Sequence, residues 1–200
     1  MKKLLVLLAA VTMMVGNVSA QNLEKNIFGA HVGLNFANIK YQGTSPDSKV
    51  GLRLGGSYQR LLASFPLYLE TGLELTWKGF EYKDDGFTKK INAAYLEIPI
   101  MVNYKFNIKD KVTLYPSAGF YYGLGIGGKI KLGGPKVDTF DYMMSRSDFG
   151  IRLGANALWK NFTFGLGYEF ALTDSNDFID DHFAHEVKTN NFFLQVGYKF

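Results

Sequence analysis

Eight stretches of this chain alternate apolar and non-apolar residues with a period of two, the repeat of a strand whose two faces meet different surroundings. They fall at 28–40, 50–61, 66–81, 91–106, 111–127, 147–159, 162–172 and 191–200. In the last, Phe192, Leu194, Val196, Tyr198 and Phe200 share one face, against Phe193, Gln195, Gly197 and Lys199. Val50, Leu52, Leu54 and Tyr58 likewise oppose Gly51, Arg53, Gly55, Ser57 and Gln59, and Leu96, Ile98, Ile100, Val102 and Tyr104 oppose Tyr95, Glu97, Pro99, Met101, Asn103 and Lys105. The pattern predicts an all-β chain: an eight-stranded, antiparallel, up-and-down β-barrel.

Parity alone does not separate inside from outside. A soluble ligand-binding barrel of the lipocalin kind would turn its apolar set inward around a greasy pocket. A membrane barrel turns it outward to lipid. The glycine-heavy polar face favours the second, because a narrow eight-stranded interior needs small residues to offset large ones. The connections agree. Those near 63–65, 107–110 and 160–161 are short, whereas 41–49, 82–90, 128–146 and 173–190 are long, as periplasmic turns and extracellular loops are. This predicts a transmembrane barrel of the cell outer membrane with both termini periplasmic and four long loops outside. Aromatics at the strand ends match the two interfacial girdles: Phe28, Tyr58, Tyr104, Trp159, Phe162 and Phe200 at one end, and Phe36, Trp77, Tyr122, Phe149 and Phe170 at the other.

Composition refines this picture. Lys2 and Lys3, an apolar run from Leu4 to Val15 and the small-x-small Val18-Ser19-Ala20 predict a secretory signal peptide over 1–20, with the barrel domain over 21–200. Removing those two lysines lowers the net charge from +4 to +2, too mild for a nucleic-acid partner. With no Cys, disulfides and thiolate chemistry are excluded. Beyond the signal no apolar run is long enough for a spanning helix, yet 17 Phe and 12 Tyr need an apolar environment. Lipid-facing strands supply it.

Tyr95-Leu96-Glu97-Ile98-Pro99-Ile100, followed by Val102-Asn103-Tyr104-Lys105-Phe106, resembles the fourth-strand signature of the PorT-like outer-membrane β-barrel family of Bacteroidota, and Gly29 to Phe36 and the closing Gly197 to Phe200 are similar to it too. The resemblance covers nearly all of the chain after the signal. It implies an OmpA/OmpX-type barrel and, by analogy with some members, an accessory role in protein secretion. Pro99 and Pro116 each remove a ladder donor. With a turn centred near Ile108-Lys109 they would lie almost opposite one another, predicting a bulge or local loosening.

Three constellations could carry chemistry. Arg53, Lys78, Lys105, Arg152 and Lys199, with Glu70, Glu74, Glu97 and Glu169, all fall on the inward face, where unpaired charges cost several kcal/mol. They are expected to pair into a polar network that fills the lumen; the sharper alternative is a proton or ion path. His31 is expected inside the barrel, hydrogen-bonded to a lumen neighbour. In the last long connection, His182 and His185 with Asp181 are weak metal candidates beside the simpler reading of a solvated acidic loop. Gly123, Gly125 and Gly128 spell a phosphate-loop pattern, but strand alternation runs through it and no helix is expected after it. The outward face offers no His and no evident nucleophile, so an enzyme is disfavoured, a lipid-modifying barrel being the residual alternative. No cofactor is expected. The expected partners are outer-membrane lipid, the barrel-assembly machinery reading Tyr198 and Phe200, and an extracellular or secretion-system protein met by the loops of a monomer.

Overall fold

The computed structural model describes residues 23–40, 47–84, 87–108, 112–131, 137–142, 145–173 and 188–200. The predicted signal peptide therefore lies outside the described residues, as do His182, His185 and Asp181. The strands are β1 (Asn26–Lys40), β2 (Asp47–Leu61), β3 (Leu67–Asp84), β4 (Phe87–Tyr104), the short β5 (Phe106–Ile108), β6 (Val112–Lys131), the two-residue β7 (Val137–Asp138), β8 (Ser147–Trp159), β9 (Phe162–Ala171) and β10 (Lys188–Lys199), with one helical turn, α1 (Thr139–Tyr142). β4 and β5 together make one stave, and β7 only edges β6. Every stave pairs antiparallel with its neighbours in sequence, and β1 pairs β10 from Gly29↔Lys199 to Lys40↔Lys188, so eight staves close with no free edge.

Closure decides the question that parity left open. The apolar faces point out: Leu52 is 55% exposed, Ile100 55% and Phe164 51%. The polar faces are buried: Arg53, Gln59, Glu97, Asn103 and Glu169 are all 0% exposed. A lipocalin-type interior is thereby excluded. The aromatic girdles form on the outer surface as ring pairs, Phe28 with Tyr58 at 5.0 Å and Phe162 with Tyr198 at 5.4 Å at one end, Phe36 with Phe192 at 6.0 Å at the other.

Two expectations need correction. The connection over 82–90 is not long: β3 and β4 stay in register out to Asp84↔Phe87, which leaves a link of two residues, Asp85-Gly86. The two strands stay paired from end to end of that stretch, so its polar residues belong to the ladder. The two prolines are not opposite one another either. The pairing centres about one and a half residues later than expected, so Pro99 pairs Tyr121 and Pro116 falls opposite Tyr104. Neither makes a bulge, but each loosens its ladder. The β3–β4 ladder has no pairs between Thr71↔Ile100 and Glu74↔Glu97, beside Pro99, and the pairing with β6 breaks between Asn103 and Phe106, opposite Pro116. The actual bulge of β6 lies between Ala94↔Gly127 and Tyr95↔Gly125. Beyond it the parity of β6 reverses, so that Lys129 is exposed and Ile130 is 1% exposed.

Candidate functional site

Alternation turns one residue in two toward a lumen only wide enough for side chains, and the charged ones converge at mid-height. Glu74 and Glu97 are direct cross-strand partners on β3 and β4, an arrangement that repels unless cations intervene. Two guanidinium groups do. Arg53 Nη2 lies 2.9 Å from Glu74, 3.4 Å from Glu97 and 2.7 Å from Glu169. Arg152 lies 3.0 Å from Glu74 and 2.8 Å from both Glu97 and Glu169. Lys78 Nζ reaches Glu97 at 2.7 Å, Asp148 at 3.0 Å and Glu169 at 3.3 Å. Neutral donors complete the shell: Thr76 Oγ1 donates to Glu97 at 2.9 Å, Asn191 Nδ2 to Glu169 at 2.9 Å and Tyr121 O–H to Asp148 at 3.1 Å. The Arg53 guanidinium stacks 4.0 Å above the Phe193 ring, which is why that aromatic sits on the polar face.

Toward the end that carries the termini the lumen changes character. Glu70 accepts from Gln59 at 2.8 Å and from Asn103, and Lys199 lies 3.8 Å away. Lys105 packs its ammonium 3.9 Å over the Tyr68 ring. A cavity of about 40 Å³ remains here, lined by His31, Glu70, Glu74, Pro99, Tyr115 and Lys199 among others, and His31 Nε2 faces Glu74 across 3.3 Å. Such a volume suits a water molecule, not a solute path.

The opposite end is closed by grease. The connection after β6 folds back through β7 and α1, placing Phe140 against Ile91, Ala93, Tyr95 and Ile130, all buried. Its ring meets Tyr95 edge-on at 5.5 Å. Gly125 is its seat, since a Cβ there would come 2.4 Å from the ring, and Gly128 makes room for Thr139, whose Oγ1 donates to the Asn92 carbonyl at 2.8 Å. Two of the three false phosphate-loop glycines, Gly125 and Gly128, are thus the clearance for a plug.

The comparisons return outer-membrane β-barrels. The family described as outer membrane protein beta-barrel domain matches residues 5–200. The chain belongs to this family. Among solved structures, this barrel is similar to a major outer membrane protein from Thermus thermophilus (15% identity, TM-score 0.54, 88% of this chain and 100% of that one). It is similar also to Neisserial surface protein A (17%, 0.52, 86% and 97%) and to the outer membrane enzyme PagL (16%, 0.50, 85% and 98%). At these identities the likeness is one of fold. No curated protein matches the sequence.

Six of the nine charges expected in the lumen, Arg53, Glu74, Lys78, Glu97, Arg152 and Glu169, meet in one cluster; Glu70, Lys105 and Lys199 lie apart, toward the termini. Sequence reading missed Asp148, although it shares the parity of Arg152 and one more step of alternation on β8 reaches it. It also missed Phe140, for which no periodicity exists. Among the described residues no group of three or more His, Asp or Glu could hold a metal.

Proposed function

We propose that this outer-membrane barrel is a filled, non-conducting monomer, with both termini periplasmic and its loop-bearing end serving as a recognition surface for an extracellular partner. The observation that carries this reading is the mid-lumen cluster, in which Arg53, Glu97 and Glu169 are fully buried and mutually bonded. Solute has no way through without breaking several charge-assisted bonds at once. Purified protein in a planar bilayer is expected to give no steady conductance, and a stable ohmic step would overturn the reading. The orientation is supported by the short links 62–66, 109–111 and 160–161 lying at the end that carries both termini.

The PorT-like resemblance supports a second reading, an accessory of protein secretion. Its most specific word, Tyr95 to Ile100, sets Glu97 in the barrel interior as the carboxylate that Arg53, Lys78 and Arg152 share. Crosslinking in cells separates the readings: periplasmic or barrel partners favour secretion, and capture from outside favours loop recognition. A lipid-modifying activity is disfavoured because His31, the one histidine among the described residues, points into the lumen. An altered lipid profile in a deletion strain would reverse that. Phe200, 72% exposed, with its N–H bonded to the Phe28 carbonyl at 2.9 Å and its ring 5.3 Å from that of Tyr198, is the proposed signal to the assembly machinery. Its deletion is expected to lower the inserted fraction in cells while leaving the unfolding midpoint of refolded protein within error.

A further inference from the structure

At the terminus-bearing end the outer wall is taller on one side of the barrel than on the other. Between β8 and β9 the apolar wall stops at the pair Trp159↔Phe162, and the turn itself is Lys160-Asn161, both exposed. Between β2 and β3 the turn presents Leu62 and Phe65, and on the stave beside β3 the outward parity of β4 continues through Phe106 to Ile108. Leu62, Phe65 and Ile108 are each 46–51% exposed. Leu62 lies four residues past the girdle residue Tyr58, and Ile108 four past Tyr104. Four residues are about 13 Å of strand, or about 9 Å toward the end of a barrel whose strands tilt by roughly 45°. Headgroups add roughly 5–7 Å on each side of the hydrocarbon core. The apolar wall here therefore runs through the headgroup layer.

This patch is continuous with the lipid-facing wall. The Phe65 ring lies 6.4 Å from that of Tyr104, and Tyr104 lies 4.6 Å from Phe106. A cation stands at its inner edge. Arg60 shares the outward parity of Tyr58, is exposed, faces Leu69 across the ladder, and its guanidinium has no partner among the described residues. An arginine on an apolar wall lays its stem along the surface and carries its charge to the polar layer. Lys25, whose carbonyl accepts the Leu61 N–H at 2.9 Å, is exposed on the same side. We infer that the β2–β3 turn and the neighbouring end of β5 form an interfacial anchor, with Leu62, Phe65 and Ile108 among the lipid headgroups and Arg60 on the phosphate of an anionic phospholipid. A soluble protein at this end would meet the tip of the turn but not Arg60 or the row of rings, which lie on the wall that lipid covers. Tilting of the barrel or thickening of the leaflet accommodates a wall taller on one side. Either orientation of the barrel leaves this contact in place.

The chain has no Cys, so Leu62→Cys, Phe65→Cys, Ile108→Cys and the control Lys160→Cys each place one polarity-sensitive fluorophore on full-length mature protein. Folding of every variant is checked by heat-modifiable gel migration. In vesicles of phosphatidylcholine containing phosphatidylglycerol, labels at 62, 65 and 108 are expected to emit to the blue of the label at 160 and to be quenched by spin labels carried on lipid headgroups. Position 160 is one residue past the girdle and positions 62 and 108 are four, so a bilayer that ends level with the girdle gives the opposite order. That order, or emission at 62, 65 and 108 as red as at 160 without quenching, overturns the anchor and leaves the patch to a protein partner. Arg60 is tested by native mass spectrometry in detergent: wild type is expected to retain phosphatidylglycerol about fivefold better than Arg60→Gln, the ratio given by about 1 kcal/mol per basic residue at an anionic surface. Equal retention overturns the phosphate contact.

Discussion

The two ends of the lumen are closed by opposite chemistries. At the loop-bearing end an aromatic from outside the staves, Phe140, completes an apolar layer with Ile91, Tyr95 and Ile130. At the terminus-bearing end the side chains are polar, a small cavity persists, and the β3–β4 and β4–β6 ladders are interrupted beside Pro99 and opposite Pro116. Between them lies the ion cluster. The difference teaches where water can reach it: the apolar layer shields the cluster from the loop side, and the polar side leaves room for a water beside His31 and Glu74. A buried cluster of three cations and four carboxylates is a poor source of stability in itself but a costly thing to break.

The largest effect should therefore come from the cluster. Glu97→Gln removes the carboxylate that Arg53, Arg152 and Lys78 share and so breaks three buried ion pairs at once, although Glu74, Glu169 and Asp148 still match the three cations in number. The unfolding free energy in urea is expected to fall by about 3–5 kcal/mol. Glu70→Gln, at the wetter end, keeps acceptors for Gln59 and Asn103 and loses one 3.8 Å ion pair, so about 1 kcal/mol or less is expected. Equal losses from the two substitutions would erase the distinction between the middle of the barrel and its terminal end.

Next is the seal. Phe140→Ala deletes a buried ring whose seat is moulded by Gly125. Buried Phe→Ala changes cost about 3–5 kcal/mol in cores, but this ring sits at a rim where water can fill the gap, so about 2 kcal/mol is expected. Amide exchange distinguishes the seal from mere packing: protection along 91–95 should drop, while that of the terminal half should not change. Uniform loss around the barrel would mean that Phe140 is an ordinary core residue and not a local lid.

Most of the barrel was readable from period-two alternation, because lipid outside and a narrow lumen inside impose opposite demands on successive residues. Parity alone left sidedness open, but the glycine-heavy polar face already turned the apolar set outward, and the closed sheet agrees. Six cluster charges were readable for the same reason, and His31 was placed inward by its parity. What alternation could not reveal lies where it stops. Asp148 is only one position from the start of β8, Phe140 arrives from a connection, and Lys129 is exposed because the bulge at Ile126 reverses the parity of β6. The error over 82–90 came from reading polar residues as a loop, when they continue the β3–β4 ladder out to Asp84↔Phe87.

The smallest effect tests why the terminal end is looser. Pro99 stays in register with Tyr121 on β6, and the missing pairs lie on its β3 side, so the absent N–H is the one that would face β3. Pro99→Ala restores that donor, a gain of about 1 kcal/mol if the bond forms. The same change frees the unfolded chain, a loss of about 0.4–1 kcal/mol. The terms nearly cancel, so the urea midpoint should barely move. Exchange does not share this cancellation, because it reports the local bond: the amides of Gly72 and Leu73 should become markedly better protected. Unchanged protection there would show that the gap belongs to the curvature of the barrel, and the looser ladder would then have to be traced to the cavity that Pro99 lines.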